Sequence, residues 1–131
     1  MGKDNIGVDR DLDWLKIFDQ GFEIRGGKDS HLYRWTDVEA IFGFKLDLIT
    51  TDEICLDLFF IDQKSIRFSE SMPGWNMFNA SLFLYFSAIP ETWENEIVKP
   101  PFETNLTLLY DRKNRSILDA ETACYNQTHG K

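Results

Sequence analysis

The side chains best suited to chemistry in this sequence are four carboxylates that fall close together in the middle of the chain: Asp47, Asp52, Glu53 and Asp57. Paired carboxylates can act as general acid and base, as in glycoside hydrolysis, when they face each other across a cleft and differ in pKa. Asp52 and Glu53 are neighbours at the tip of a predicted turn, which offers no such cleft. We therefore predict no catalytic residue. The four carboxylates form either a candidate binding surface or simply a solvated turn.

Other side chains that commonly carry catalysis or hold metals are scarce. His31 and His129 are the only histidines, and neither has a cysteine at the spacing of a zinc site. The sequence has no Gly-X-Ser-X-Gly turn of the serine hydrolases and no glycine-rich phosphate loop of the Walker or dinucleotide type. We expect no metal, no cofactor and no enzymatic activity.

The charge of the chain points to one class of partner. Its 131 residues carry a formal net charge of -8, with a sequence pI near 4.7. Nucleic acids and anionic membranes are bound by clustered Lys and Arg, and the sequence has no such cluster. The acidity is compatible with a basic protein as partner. Acidity that merely aids solubility is the other interpretation, and it stays open.

The cysteines and the N-terminal stretch bear on the compartment. Cys55 and Cys124 are the only cysteines. Two cysteines without a secretion signal do not form a disulfide framework, so we interpret Cys55 as a small buried hydrophobe and Cys124 as part of a polar tail. The opening MGKDNIGVDR is not typical of a signal peptide, and no apolar run reaches the roughly 18 residues of a membrane span. These features predict a cytoplasmic protein without a membrane-spanning segment.

Two predicted strands must position the carboxylates. From Ile54 onward alternate residues are apolar, which predicts a strand with one core face. That face would hold Ile54, Leu56, Leu58 and Phe60, and Asp57 would lie on the other, half-solvated face.

The preceding strand is predicted to share the same core face through an alternating set of apolar residues: Phe42, Phe44, Leu46 and Leu48. Paired residue numbers must then differ by an even amount, because a one-residue slip would turn Asp47 toward the core. The connecting loop is predicted at residues 49–53.

After the strand pair, the hydrophobic period becomes that of a helix. The apolar residues at helical spacing are Trp75, Phe78, Leu82, Phe86 and Ile89, and Ser71 and Pro73 suit a helix start. We predict one main amphipathic helix from Trp75 to Ala88. Its other face carries Met77, Phe83 and Leu84, which either pack within the chain or form a homodimer contact.

Shorter elements flank this unit. We predict a short helix at residues 11–18, a hairpin of residues 21–25 and 31–35, a strand containing Ile66 and Phe68, a second short helix at 90–98, and a last strand at 102–110 with Leu106, Leu108 and Tyr110 inward. Residues 1–131 are predicted as a single domain, with residues 1–10 and 113–131 as loose tails.

Several short segments carry a resemblance: WTDVEAI (35–41), FKLDL (44–48), TTDEICLD (50–57), PGW (73–75) and PPFETNLTLLY (100–110). Together they resemble a group of small uncharacterised bacterial proteins over roughly residues 32–112. More distantly, strands followed by one helix with a W-x-D-V-x-x-I element are similar to the bacterial pleckstrin-homology-like domains. The basic loop that binds phosphoinositides in some members of that superfamily has no match here, so the resemblance does not imply lipid binding.

We therefore predict an α+β fold, a curved antiparallel sheet of five to six strands packed on one main amphipathic helix, in a pleckstrin-homology-like arrangement. The expected function is that of a non-catalytic cytoplasmic protein-binding module, and small acidic proteins of this kind resemble the immunity proteins that neutralise partner toxins. The alternative is a pleckstrin-homology-like module for a small ligand or a lipid.

Overall fold

The computed structural model describes residues 12–98 and 106–126, which form an α+β fold as predicted. The strands are β1 (Leu15–Phe18), β2 (Gly21–Gly26), β3 (Asp29–Arg34), β4 (Val38–Asp47), β5 (Asp52–Phe60), β6 (Ser65–Ser69) and β7 (Thr107–Asp111). A 3-10 helix (Trp35–Asp37) joins β3 to β4. The α-helices are α1 (Trp75–Tyr85), α2 (Trp93–Ile97) and α3 (Ile117–Glu121), and a π-helical turn (Thr122–Asn126) follows α3. Within the described ranges, none of the helices has the length and apolarity needed to cross a membrane.

The strands form two antiparallel sheets, where the sequence predicted one. The first has the order β1-β2-β3 and the second the order β6-β5-β4-β7. The predicted hairpin of β2 and β3 is confirmed, with Gly26 paired to Asp29 at its turn. The predicted helix at residues 11–18 is wrong, because Leu15 and Ile17 alternate inward on β1. A stretch this short does not distinguish a period of 3.6 from a period of 2.

The main core lies between the two sheets and α1. Phe22 of β2 stands at its centre, with five other aromatic rings at centroid distances of 5.1 to 6.4 Å: Tyr33, Trp35, Phe60, Phe68 and Phe78. These rings come from both sheets, from α1 and from the 3-10 helix that begins at Trp35. Burial of this one cluster therefore holds the three parts together.

Helix α1 begins at Trp75 as predicted and ends at Tyr85, short of the predicted Ala88. Its predicted apolar stripe is buried throughout: Trp75, Phe78, Leu82, Phe86 and Ile89. Gly74 precedes the helix with a φ of 93°, a conformation that favours glycine. Ser71, predicted as the cap, bonds to Glu53 instead.

The predicted core face of β5 is confirmed, but the pairing of β4 with β5 is not. Ile41, Gly43 and Lys45 lie opposite Leu58, Leu56 and Ile54, while Phe42, Phe44 and Leu46 lie opposite Asp57, Cys55 and Glu53. Paired residues share a face, so the phenylalanines of β4 lie on the face predicted as half-solvated. Leu48 lies beyond the strand and is exposed. The prediction fails because it assumes one buried face, whereas both faces of this sheet are buried.

The second buried face is covered by the C-terminal segment. Ala40, Phe42 and Phe59 of the sheet pack there with Ala120 and Cys124. Cys124 is therefore buried, where the sequence predicted a polar tail. Of the segments predicted as loose, residues 117–126 are helical, with Ala120 and Cys124 buried, and residues 1–10 and 127–131 lie outside the described residues.

Polar contacts at the start of this segment hold it in place. The Arg115 guanidinium lies 2.6 Å from the Asp111 carboxylate and 3.0 Å from that of Glu39. Burial alone raises the pKa of Asp111, and the hydrogen bonds and charge of Arg115 outweigh burial, so the pKa lies below its usual value. Ser116 caps α3 by accepting a hydrogen bond from the Asp119 N–H at 3.1 Å.

The short helix predicted at residues 90–98 is confirmed as α2, and it packs on β4 where the strand lacks a side chain. A Cβ on Gly43 would lie 2.7 Å from the ring of Trp93 and 3.0 Å from Ile97. Both α2 side chains are buried, at 2% and 1% exposure. Glycine at this position therefore lets the helix approach the sheet backbone closely.

Strand β7 runs from Thr107 to Asp111, and the part of its prediction at residues 102–105 lies outside the described residues. Its apolar residues do not share one face as predicted. A bulge pairs Leu108 with Phe42 but Tyr110 with Ile41. Leu106 and Leu108 accordingly pack on the second core, and Tyr110 packs on the main core.

Candidate functional site

The β4–β5 register divides the four predicted binding carboxylates between two faces. Asp47 lies directly opposite Asp52, so these two residues share the face of the main core. Glu53 and Asp57 are on the other face of β5, because successive strand residues alternate. The structure thus brings Asp47 and Asp52 together and separates them from Asp57.

Asp57 is a structural residue and not part of an accessible surface. It is 5% exposed, where the sequence predicted a half-solvated position. Its carboxylate accepts hydrogen bonds from Arg67 at 2.7 and 2.9 Å and from the Tyr125 hydroxyl at 2.6 Å. Burial, reinforced by the bond to Asp57, raises the pKa of Tyr125. Because its lone pairs serve these bonds, Asp57 leaves the candidate binding set.

Asp52 pairs with a fully buried lysine. The ammonium of Lys45 lies 3.6 Å from the Asp52 carboxylate and donates a hydrogen bond to the Val98 carbonyl at 2.9 Å. Lys45 is 0% exposed, so a charge at this position requires partners. These contacts tie the base of the β4–β5 hairpin to the residue that follows α2.

Two glutamates bind the connection between β6 and α1 to the start of β5. Glu53 accepts hydrogen bonds from the Ser71 N–H and hydroxyl, and these bonds lower the pKa of its carboxyl. Glu70 accepts a bond from the Ile54 N–H at 2.8 Å. Ile54 pairs with Lys45 of β4, and Glu70, the residue after β6, bonds to the backbone of Ile54. Lys45, Ile54 and Glu70 therefore lie in one row across the sheet.

These contacts place four carboxylates at one end of the four-stranded sheet, and Glu94 of α2 lines a cleft together with one of them, Glu70. We call this group the acidic end: Asp47, Asp52, Glu53, Glu70 and Glu94. Lys45 lies within ion-pair distance of Asp52, and its charge is buried. The described carboxylates contribute negative potential at the acidic end.

A cleft of about 530 Å³ opens in the acidic end beside the start of α1, and we call it the acidic cleft. It is lined by Glu70, Met72, Gly74, Trp75, Asn76, Met77 and Glu94. The lining combines two carboxylates with an indole and two thioethers. Carboxylates attract a cation, while aromatic and thioether groups pack against an apolar stem. This combination suits a Lys or Arg side chain.

The electrostatics of the acidic cleft also favour a cation. Burial raises the pKa of Glu94, and the negative charge of Glu70 adds to the rise, although a hydrogen bond from the Trp75 side chain opposes it. A raised pKa means that the ionised form is held at a cost. A cationic group placed between Glu70 and Glu94 would relieve that cost.

Nucleophilic and metal chemistry find little support in the described residues. Burial raises the pKa of the Cys55 thiol to about 11 and also raises the pKa of Cys124. Both thiols are therefore protonated at neutral pH, which makes them poor nucleophiles. Within the described ranges, His, Cys, Asp and Glu do not gather in threes at a geometry that would hold a metal ion.

The predicted dimer face of α1 is largely occupied by the chain itself. Met77 and Phe83 are half-buried against the main core. Leu84 alone of the three is exposed, at 72%. The homodimer contact stays a prediction that rests on this one accessible side chain.

The acidic cleft combines residues that sequence reasoning did not connect. Glu70 ends the predicted strand of Ile66 and Phe68, and Glu94 belongs to a predicted short helix. Gly74 and Trp75 of the Pro-Gly-Trp helix start line the acidic cleft, but no local sequence pattern links them to Glu94. Comparison of the chain with models of protein families, with curated proteins and with solved structures found no match.

Proposed function

We propose that this chain is a non-catalytic module that binds a basic partner protein through its acidic end, in the manner of a small immunity-type protein. The observation that supports the proposal is the cleft lined by Glu70, Glu94, Trp75 and two methionines, which suits a cationic side chain and adjoins the other carboxylates of the acidic end. In such an interaction the carboxylates steer the encounter, and the acidic cleft receives one Lys or Arg of the partner.

Binding of an oligolysine peptide, followed by NMR on the labelled protein, tests this proposal. We expect shift changes at the acidic end that weaken as salt rises, because screening shortens to about 3 Å at 1 M. The double variant Glu70→Gln/Glu94→Gln should weaken binding about tenfold or more, since both cleft carboxylates are lost.

A matched control removes two carboxylates elsewhere. Asp62 and Asp119 are exposed and lie on the β5–β6 turn and on α3. The variant Asp62→Asn/Asp119→Asn has the same net charge as the cleft variant and should bind the peptide nearly as well as the wild type. Equal losses in the two variants would show that net charge acts alone and would contradict the proposed site.

The finer fold assignment, a distant pleckstrin-homology-like domain, is also part of the proposal and rests on the sequence resemblance. The order of six strands followed by helix α1 supports it. The lipid-binding alternative is less favoured, because the described lining of the acidic cleft has no Lys or Arg for a phosphate. Co-sedimentation of the protein with phosphoinositide vesicles would favour that alternative.

A further inference from the structure

The tip of the β4–β5 hairpin presents two apolar side chains to solvent. Ile49 is 87% exposed and Leu48 is 46% exposed. Ile49 also has a φ of 76°, in the left-handed region that β-branched residues rarely adopt. An exposed isoleucine in a strained backbone conformation adds nothing to the core. Stability therefore does not account for this residue type at this position.

Local hydrogen bonds hold the tip in its conformation. The Ile49 N–H donates to the Asp47 carboxylate at 3.0 Å. The Leu48 N–H donates to the Thr51 carbonyl, and the Thr50 N–H to the Leu48 carbonyl, both at 2.8 Å. Because these bonds already fix the backbone, little ordering entropy is left to lose when a partner packs on the tip.

The combination of strain and apolar exposure is confined to this hairpin within the described residues. The other non-glycine residues with positive φ are Gln63 and Asn114, and both are polar. Other exposed large hydrophobic residues, such as Leu32 and Leu84, are not among the residues with positive φ. The hairpin tip is thus set apart from ordinary scattered surface hydrophobics.

Carboxylates surround the base of the tip. Asp47, which is exposed, ends β4, and it lies opposite Asp52, which begins β5. Glu53 follows on the other face of the strand. The exposed side chains of the tip are therefore apolar, and carboxylates surround them. A complementary partner surface would have an apolar centre with basic side chains around it.

We propose that Leu48 and Ile49 form the apolar anchor of the interaction with the basic partner, and that the partner presents an apolar patch encircled by Lys or Arg side chains. This inference rests on the proposed function and adds the chemistry of the contact itself. The carboxylates attract the partner, and burial of the two aliphatic side chains lengthens the lifetime of the complex.

Two synthetic peptides of identical leucine and lysine composition, each about 18 residues long, test the anchor. One places its leucines on a single helical face bordered by lysines, and the other is scrambled so that no apolar face forms. We expect the wild type to bind the first peptide about tenfold more tightly in calorimetric titration, because only that peptide buries the tip.

The variant Ile49→Gly should lose this preference and bind both peptides equally. Glycine suits the left-handed conformation, so the variant should melt at the same or a higher temperature than the wild type. Ile49→Asn, which also tolerates this conformation, is the second variant if glycine loosens the hairpin. Gln63→Gly is the matched control, because Gln63 has a φ of 73° in the β5–β6 turn. It should retain the tenfold preference.

Equal affinity of the wild type for the two peptides would overturn the anchor, and so would a preference that survives in both Ile49 variants. Either result leaves the proposed function intact, provided that both peptides bind in a salt-dependent manner. If neither peptide bound in a salt-dependent manner, the proposed function and the anchor would both be overturned.

Discussion

Among the individual residues, Asp57 differs most from the carboxylates around it, because it is buried and fully used by Arg67 and Tyr125. Asp57→Ala should lower the free energy of unfolding by about 1–3 kcal/mol. This loss is small for a broken buried ion pair, because the Arg67 side chain is 52% exposed and can return to water.

Urea denaturation measures this loss. Asp62→Ala, at an exposed position, is the control and should change stability by less than about 0.5 kcal/mol. Losses of the same size at both positions would mean that Asp57 is as well solvated as Asp62, which would contradict its buried bonding.

Glu94 should give stability a pH dependence of its own. Its pKa is raised by burial, and the charge of Glu70 adds to the rise, so the folded chain binds the proton more tightly than the unfolded chain. Stability must then fall as pH rises through the folded-state pKa. Glu94→Gln should therefore be more stable than the wild type at neutral pH, with a gain that vanishes below 4.5, the ordinary value for Glu.

Denaturation of both proteins across this pH range measures the effect. Glu91→Gln removes the same charge at an exposed position just before α2 and should give no comparable gain. A gain for Glu94→Gln that persists at low pH would point to packing rather than ionisation as its cause.

At the scale of elements, the docking of the C-terminal segment depends on one small side chain. Ala120 is fully buried in the second core, so Ala120→Asp would place an unpaired carboxylate there. We expect the segment to undock, with a loss of more than about 2 kcal/mol and faster hydrogen exchange in residues 117–126. Leu118→Asp, on the same helix but 69% exposed, should leave exchange unchanged. Undisturbed exchange in Ala120→Asp would refute the docking.

The same elements explain how far sequence reasoning reaches. Turn chemistry and helical period are local, so the hairpin at Gly26–Asp29 and the start of α1 at Trp75 were predictable. The faces of β4 were not, because their assignment depends on whether a distant segment covers the second face. The polar composition after Asp111 concealed that segment, although Ser116 carries a helix cap.

The candidate site was predictable to the same extent. Asp47, Asp52 and Glu53 follow from their place beside a hairpin turn. Glu94 does not, because α2 reaches the acidic cleft only through tertiary packing against α1 and β4. Period and spacing carry no information about a contact of that kind.

At the scale of the whole molecule, Phe22 joins the two sheets and α1 through ring contacts to each. Phe22→Ala should cost about 3–5 kcal/mol, because a large cavity opens where these parts meet. Unfolding should remain a single transition by tryptophan fluorescence and by circular dichroism, since the main core is shared by both sheets and α1. Leu32→Ala, on the same sheet but 59% exposed, should cost little. Separate transitions for the two probes would show that the sheets are independent.

Because Gly43 has no side chain beneath the Trp93 ring, substitutions at these two positions should be coupled during evolution. A side chain at position 43 would collide with the indole, so that substitution is tolerable only after position 93 has become smaller. The two positions should therefore mutate as a pair in descendants of a common ancestor. Gly43→Ala and Trp93→Leu should each lower the free energy of unfolding. The double variant should lose less than the sum of the two, because leucine at position 93 leaves room for the new Cβ at position 43.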